Sequence, residues 1–562
     1  VKLKIIFLIL IALLTRLMFL NFVPTGITND ELHFILNAKS VYYTFTDISG
    51  KWNPLSLSTI PNEASSELTF LILAPLVGPL PINLFTARLP FVLFNLVSIL
   101  LIYLISNKIF NPKISFYITL VTLLNPWNIF VSRTSFDAPI ALFFYLLTFY
   151  LLIKLKKWYL LIAVVPALFA FYTYIGTKVI FLPFMLICTI YSYWYISSKK
   201  YFWPYLSFIL SCTAIFVFFI YSIKHQPIGN RLTELTDPNS QQIINQVDIE
   251  RNQTIDTPIK SLFSNRYTYY FFKFSQKYLN SFSPNVLFLN GDPTYLVSLW
   301  KHGYFYIIDF ALIILGLCYL YNRSKSTFYL FVALLLISPL PEAVRVDIIP
   351  AYAFHSVLQF PLLSILTGLG IVALIKISKY YIPVISLIYL ISFVNFINTY
   401  LFQYPLYQPE GFNFSRQIVS SYLMRLPINT SAYVITSEPE SLFRNYLFYS
   451  NSYQKNQTAT IQQQYSTNNR QDFSINNLHF AKSFNNLSPN DTVISAVEIS
   501  PSQYTNQPKR TIYRLASNTQ LYEIYNDQVC QNQFSDTRYF PYFSELNVAI
   551  LPTNQFCNLY IK

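Results

Sequence analysis

The sequence predicts an α-helical polytopic membrane protein of about eleven transmembrane helices that ends in a C-terminal α/β extracytoplasmic domain. Three observations carry this. Charged residues make up 11% of the 562 and apolar ones 53%, where a soluble protein carries about 25% charged. Aromatic residues reach 18%, which suits a protein that meets lipid headgroups with many amphipathic rings. The first 400 residues hold one apolar run after another, each near the roughly 20 helical residues that cross a hydrocarbon core. A wholly soluble fold and global disorder are both excluded. The net charge of +14 does not indicate nucleic acid, because the basic residues are scattered between apolar runs instead of gathered on one stripe.

Spans are expected at 5–22, 89–106, 114–131, 138–153, 158–176, 179–196, 201–223, 303–321, 327–341, 353–375 and 380–401. The run 68–81 is too short and too rich in proline to cross, and its length fits a re-entrant or interfacial segment. The first run has Lys2 and Lys4 ahead of it, as a signal peptide would, but no small-residue cleavage site follows and Arg16 interrupts it. It is expected to stay as a helix.

Lysine and arginine in the short loops set the orientation. Lys108 and Lys113, Lys154, Lys156 and Lys157, Lys199 and Lys200, Arg323 and Lys325, and Lys376 and Lys379 fall at the same ends of the spans as Lys2 and Lys4, with no acid among them. Those ends are expected in the cytoplasm of a cell membrane protein. Every long connection then lies outside: 23–88, 224–302 and the tail. Residues 1–401 form the transmembrane unit and 402–562 a soluble outer domain, in which 432–436 and 511–515 alternate as strands do. The stretch 450–477 is polar enough to be a mobile loop, and no internal repeat is visible. Cys188, Cys212 and Cys318 lie in apolar runs. Cys530 and Cys557 can pair if the tail faces an oxidising compartment.

Asn29, Asp30 and Glu31 open the first outer loop. Adjacent carboxylates near the membrane surface can supply a general base or hold a metal, and the same residues can equally start a helix. Arg133 and Asp137 occupy a short outer turn, Lys178 another, and Arg345 follows the ninth span. Ionisable groups at membrane depth are functional candidates, and acids with cations in one outward cavity suit proton transfer beside a phosphate. Arg133 and Asp137, four residues apart, would alternatively form an ordinary helical ion pair. His33, His225, His302, His355 and His479 show no metal spacing. No glycine loop for a nucleotide phosphate exists, so a lipid-borne donor is the reading that remains for an outer site.

Several stretches resemble the GT-C type membrane glycosyltransferases, in particular the dolichyl-phosphate-mannose protein mannosyltransferase and bacterial aminoarabinose transferase family (family 39-like). Asp30-Glu31 looks like its acidic pair after the first helix, Ala87-Arg88-Leu89-Pro90 like the start of its second, and Ser132-Arg133 through Asp137 like the segment with a further acid. Tyr172 to Pro183 with Lys178, Phe282-Ser283-Pro284-Asn285 with Gly291-Asp292, and Pro339-Leu340-Pro341 with Arg345 and His355 are similar to a bacterial branch. The resemblance covers roughly residues 1 to 400. It implies sugar transfer from a polyprenyl-phosphate donor to a protein, lipid or glycan acceptor, with inversion. Asp30 would then be the base, Glu31 its support or a metal ligand, and Asp137 a second acid. Lys178, Arg345 and Arg133, with Arg231 as a weaker candidate, would neutralise the donor phosphate. Losing one such cation should cost about 2 to 4 kcal/mol of transition-state stabilisation. Ser356 stands where the branch has an arginine after its histidine, which leaves the role of His355 open. No cofactor is assigned, a divalent cation stays open, and the expected partners are the lipid-linked donor, membrane lipid and the acceptor, with no nucleic acid. A transporter or lipid flippase, a polysaccharide polymerase or ligase, and an anchored adhesion module are the competing readings. Paired halves with broken helices would favour transport.

Overall fold

The computed structural model describes residues 2–57, 68–197, 199–225, 241–293, 298–299, 301–345, 353–407, 409–467, 470–484, 487–488, 491–499, 509–515, 517, 519–531 and 542–562. Arg231 lies outside the described residues.

Among the described residues, ten α-helices lead to the second outer loop: α1 (Lys2–Leu17), α2 (Asn29–Thr44), α3 (Thr69–Val77), α4 (Leu84–Ile109), α5 (Pro112–Leu124), α6 (Pro126–Ser132), α7 (Ala138–Lys154), α8 (Val164–Thr173), α9 (Phe181–Tyr191) and α10 (Phe202–His225). The outer loop itself carries helices Gln241–Asn252, Lys260–Phe263 and Arg266–Asn280. Ile307–Arg323, Lys325–Ile337, Gln359–Ile377 and Tyr381–Ile397 complete the membrane part.

Each expected span overlaps helical backbone, although helix stops at Leu17 in the first and starts only at Ile307 in the eighth. By length and composition, however, six helices among the described residues can cross a bilayer, and seven if α5 and α6 count as one bent span. Ile6–Leu17, Ala138–Lys154 and Lys157–Thr173 are apolar but shorter. The expected interfacial segment 68–81 contains the nine-residue α3, which packs on α2.

The bend between α5 and α6 is 61°, and its cause is local. Pro126 has no N–H to continue the ladder, and Trp127 donates to the Tyr304 carbonyl instead, at 3.2 Å. With that N–H diverted and Asn128 N bonded to Asn125 Oδ1 at 2.9 Å, the Leu123 and Leu124 carbonyls of α5 need other donors. Arg16 supplies one, donating to Leu123 O at 2.7 Å and to Asn128 Oδ1 at 2.5 Å, while the Tyr306 hydroxyl donates to Leu124 O at 2.6 Å. The arginine that interrupts the first apolar run is therefore a buried bolt from α1 to this break. Helices Ile307–Arg323 and Gln359–Ile377 approach so closely that a Cβ on Gly316 would collide with the Leu366 carbonyl. Such contact takes the place of hydrophobic driving force between helices in lipid.

The tail folds around a six-stranded mixed sheet in the order β2-β3-β1-β4-β6-β5. The strands are β1 (Ala432–Ile435), β2 (Phe473–Ile475), β3 (Leu478–Ala481), β4 (Thr492–Ala496), β5 (Lys509–Tyr513) and β6 (Gln520–Tyr525). Strand β1 runs parallel to β3 and β4, and the other pairings are antiparallel. The two strands expected from alternation are β1 and β5. Within 450–477, expected as a mobile loop, the described residues form the helix Thr458–Thr467 and β2. Tyr453, Ile461, Tyr465, Phe473 and Ile475 are buried there, so five apolar anchors hold a stretch whose composition is polar. Cys530 and Cys557 form a disulfide, with Cα atoms 5.6 Å apart.

Candidate functional site

The connection from α1 to α2 is held from behind by two buried arginines. Arg88, near the start of α4, donates to the carbonyls of Leu20, Pro24 and Gly26 at 3.0, 3.0 and 2.6 Å. Arg133 donates to those of Arg16, Met18 and Val23 at 3.1, 2.7 and 3.0 Å and to the Tyr400 hydroxyl at 3.2 Å. These are the carbonyls that a helix end and an irregular loop leave unpaired. Gly26 has φ +83 and faces the Phe412 carbonyl so closely that no side chain would fit. Arg133 forms no ion pair with Asp137 among the described residues, and its donors serve backbone instead of a donor phosphate. Arg88 was quoted in the sequence only as part of a motif, since its partners are main-chain atoms some 60 residues away and leave no mark in composition.

The start of α2 separates its three polar residues by role. Thr28 caps the helix, accepting from Glu31 N at 3.0 Å, and Glu31 returns the bond by accepting from Thr28 N at 2.9 Å, a capping box. Glu31 is fully buried and also accepts from Ser135 N at 2.8 Å, with Arg88 Nε 3.8 Å from the same oxygen. It therefore locks the helix start to the turn between α6 and α7. The Asn29 side chain accepts from Asn413, Arg416 and Ser441 of the tail at 3.2, 3.1 and 2.6 Å. Asp30 is exposed and has no hydrogen bond or ion pair among the described residues.

Two residues past Ser135, Asp137 is 6% exposed. Burial, and after it the neighbouring charge of Asp30, raise its proton affinity well above the usual carboxylate range. A site with one exposed carboxylate and one whose proton affinity is raised matches the demands of acid–base work.

The cationic half is built by two short turns. Gly176–Ile180 carries Lys178, whose ammonium sits 4.1 Å from the centre of the Phe219 ring and 5.4 Å from those of Phe171 and Tyr172. The Tyr145 hydroxyl pins this turn by donating to Thr177 O at 3.0 Å. Ala353–Ser356 carries His355, whose Nδ1 lies 2.9 Å from the Tyr174 hydroxyl. The short helix Leu340–Ala343 packs on both turns, and Glu342 pairs with Arg345 at 2.9 Å. Lys277, which the sequence did not single out, is buried and lies within the fields of Glu342 and Arg345. Burial lowers its proton affinity.

The Phe136 and Phe354 rings, 4.6 Å apart, connect the two halves. The structure thus brings Asp30, Glu31 and Asp137 to one place, and Lys178, His355 and Arg345 to the elements packed beside it. Among the described residues, no group of three or more His, Cys, Asp or Glu side chains is arranged to hold a metal.

No family model and no curated protein matches this sequence. Solved structures do. The crystal structure of ArnT from Cupriavidus metallidurans bound to undecaprenyl phosphate superposes with a TM-score of 0.51 at 9% identity, over 92% of this chain and 97% of that one. Its apo form gives 0.48 over the same shares. The archaeal oligosaccharyltransferase AglB from Archaeoglobus fulgidus, in complex with an inhibitory peptide and a dolichol-phosphate, gives 0.43 at 9% identity, over 93% and 74%. The chain has a GT-C-type glycosyltransferase fold.

Proposed function

We propose that this protein is an integral membrane glycosyltransferase that moves a sugar from a polyprenyl-phosphate-linked donor to a protein, lipid or glycan acceptor, on the membrane face opposite the basic loops. The observation that carries the reading is the unlike pair at the start of α2. Asp30 is solvent-accessible, whereas Asp137 beside it is buried, with its proton affinity raised by that burial and by the charge of Asp30.

In the proposed reaction the Asp30 carboxylate accepts the proton of the acceptor nucleophile as that atom attacks the anomeric carbon. The attack comes from the side opposite the phosphate. The bond from the anomeric carbon to the phosphate oxygen breaks, its electron pair leaves with the polyprenyl phosphate, and the configuration inverts. Lys178 and Arg345 would lower the cost of the negative charge that builds on the departing phosphate, an effect worth most where water is excluded. Arg133, committed to backbone carbonyls, is left out of this role. Asp30 with Asp137 would give a hard divalent cation two carboxylates, enough for one that keeps several waters. No step here is routed through it.

The test is transfer itself. Purified protein in detergent is incubated with radiolabelled polyprenyl-phosphate sugars and a panel of peptide, lipid and glycan acceptors, and the assay is repeated with Asp30→Asn. Transfer by the parent and none by the variant is expected. Undiminished transfer by the variant would remove Asp30 as the base, and a folded parent inert with every donor would remove the class.

A further inference from the structure

The helix Arg266–Asn280 in the second outer loop reads RYTYYFFKFSQKYLN. It holds three cations and no acid, and nearly half of it is aromatic. Its two sides differ sharply at the helical period. Tyr267, Phe271, Phe272 and Leu279 are all more than three-fifths exposed, and Leu262 and Phe263 of the preceding short helix extend the same surface. On the opposite side Lys277 is buried. Tyr270 donates there to the Val344 carbonyl at 3.1 Å.

Two anchors define where this apolar surface lies. Tyr270 reaches Val344, just past the crossing-length segment Lys325–Ala343, and Tyr278 donates to the Leu336 carbonyl within it at 2.8 Å. Leu336 is itself 54% exposed on that helix, so the patch continues a surface that faces acyl chains. Large exposed apolar patches in a monomer mark an interaction site. An amphipathic helix with aromatic residues on one side and cations beside them is the pattern of a segment lying in the bilayer interface. Arg266, exposed, and Lys273, half-buried, are placed for the negative phosphates of that layer.

We infer that the helix Arg266–Asn280 lies in the headgroup–acyl boundary of the outer leaflet, with Tyr267, Phe271, Phe272 and Leu279 inserted among acyl chains and Arg266 and Lys273 at anionic headgroups. The occupant of this surface is phospholipid. The inference is independent of the proposed reaction, because it concerns how the outer loop is seated and not what the acids do.

The full chain, reconstituted into vesicles of phosphatidylcholine and phosphatidylglycerol that carry a lipid with a diazirine on its acyl chain, is irradiated, digested and mapped by mass spectrometry. Peptides covering 262–279 should acquire lipid at a level comparable to peptides from Tyr381–Tyr407, the internal control. The double variant Phe271→Asp, Phe272→Asp should lose that label several-fold while the control keeps its own. A labelled control with an unlabelled 262–279 in the parent overturns the inference. So does a chain-to-chain cross-link through this surface in place of lipid label, which would assign it to a second copy. The parent's labelling pattern decides the matter even if the double variant folds poorly.

Discussion

Phe136 and Phe354 pack at 4.6 Å between ring centroids, and the contact ties the turn ending in Asp137 to the turn that carries His355. Both rings are almost wholly buried. Removing one should leave a cavity where the acidic and cationic halves meet. Phe136→Ala is expected to cost about 3 to 5 kcal/mol, seen as a lowered melting temperature in detergent, with Phe136→Leu recovering part of it. An unchanged melting temperature for the alanine variant would show that the rings do not join the turns.

The two neighbouring acids should respond oppositely to substitution. Asp30 is exposed and unbonded among the described residues, so Asp30→Asn should shift stability by no more than about 0.5 kcal/mol while removing activity. Glu31 closes the capping box, accepts from Ser135 N and faces Arg88. Glu31→Ala should cost about 3 to 5 kcal/mol, because it removes the counter-charge beside the buried Arg88 and strips the Thr28 and Ser135 N–H groups of their acceptor. Paired melting curves check both, and equal losses would contradict the division of roles.

Asp137 predicts a pH dependence of definite sign. Its folded-state proton affinity is raised, by burial first and by Asp30 second. Between the unfolded carboxylate value near 3.8 and the higher folded value, the folded chain holds a proton that the unfolded chain has lost. Its contribution to stability is therefore full at the acid end and is lost as pH rises through that window. Asp137→Asn should flatten this part of the melting temperature profile and stabilise the chain above the window. A slope that survives the substitution would assign it to another group.

Much of the membrane part was legible because an apolar run of bilayer length leaves few alternatives. The break at Asn125-Pro126 was hidden inside a predicted span, since its stability depends on Arg16 and Tyr306 reaching carbonyls from elsewhere in the chain. Composition makes 450–477 read as mobile, yet Tyr453, Ile461, Tyr465, Phe473 and Ile475 are buried in it. Five well-spaced anchors are too few to alter an average. At the site, the residue types and their turns could be read from the sequence, but the roles within the triplet could not. Only the fold shows that Thr28 takes the cap, that Glu31 becomes structural, and that Asn29 is held by Arg416 and Ser441. Lys277 sits in a helix whose aromatic side dominates its pattern, which masks a single buried cation.

The disulfide closes a separation of 27 residues, and in the chain-entropy account a loop of that size contributes about 3.5 kcal/mol. Cys530→Ser with Cys557→Ser should destabilise the tail by roughly that amount, with less effect on the membrane part, as monitored by limited proteolysis of the sheet domain. Unaltered protease resistance of the tail in the double variant would count against it.

Sidedness offers the most direct test of the whole account, which needs Asp30 to open on the face opposite Lys108, Lys154 and Lys376. Asp30→Cys is introduced after Cys188, Cys212 and Cys318 are replaced by serine, with the Cys530–Cys557 disulfide kept, and intact cells are treated with a membrane-impermeant maleimide. Labelling at position 30 without permeabilisation is predicted. Labelling that requires opening the cells would place the carboxylate on the cytoplasmic side and contradict the account.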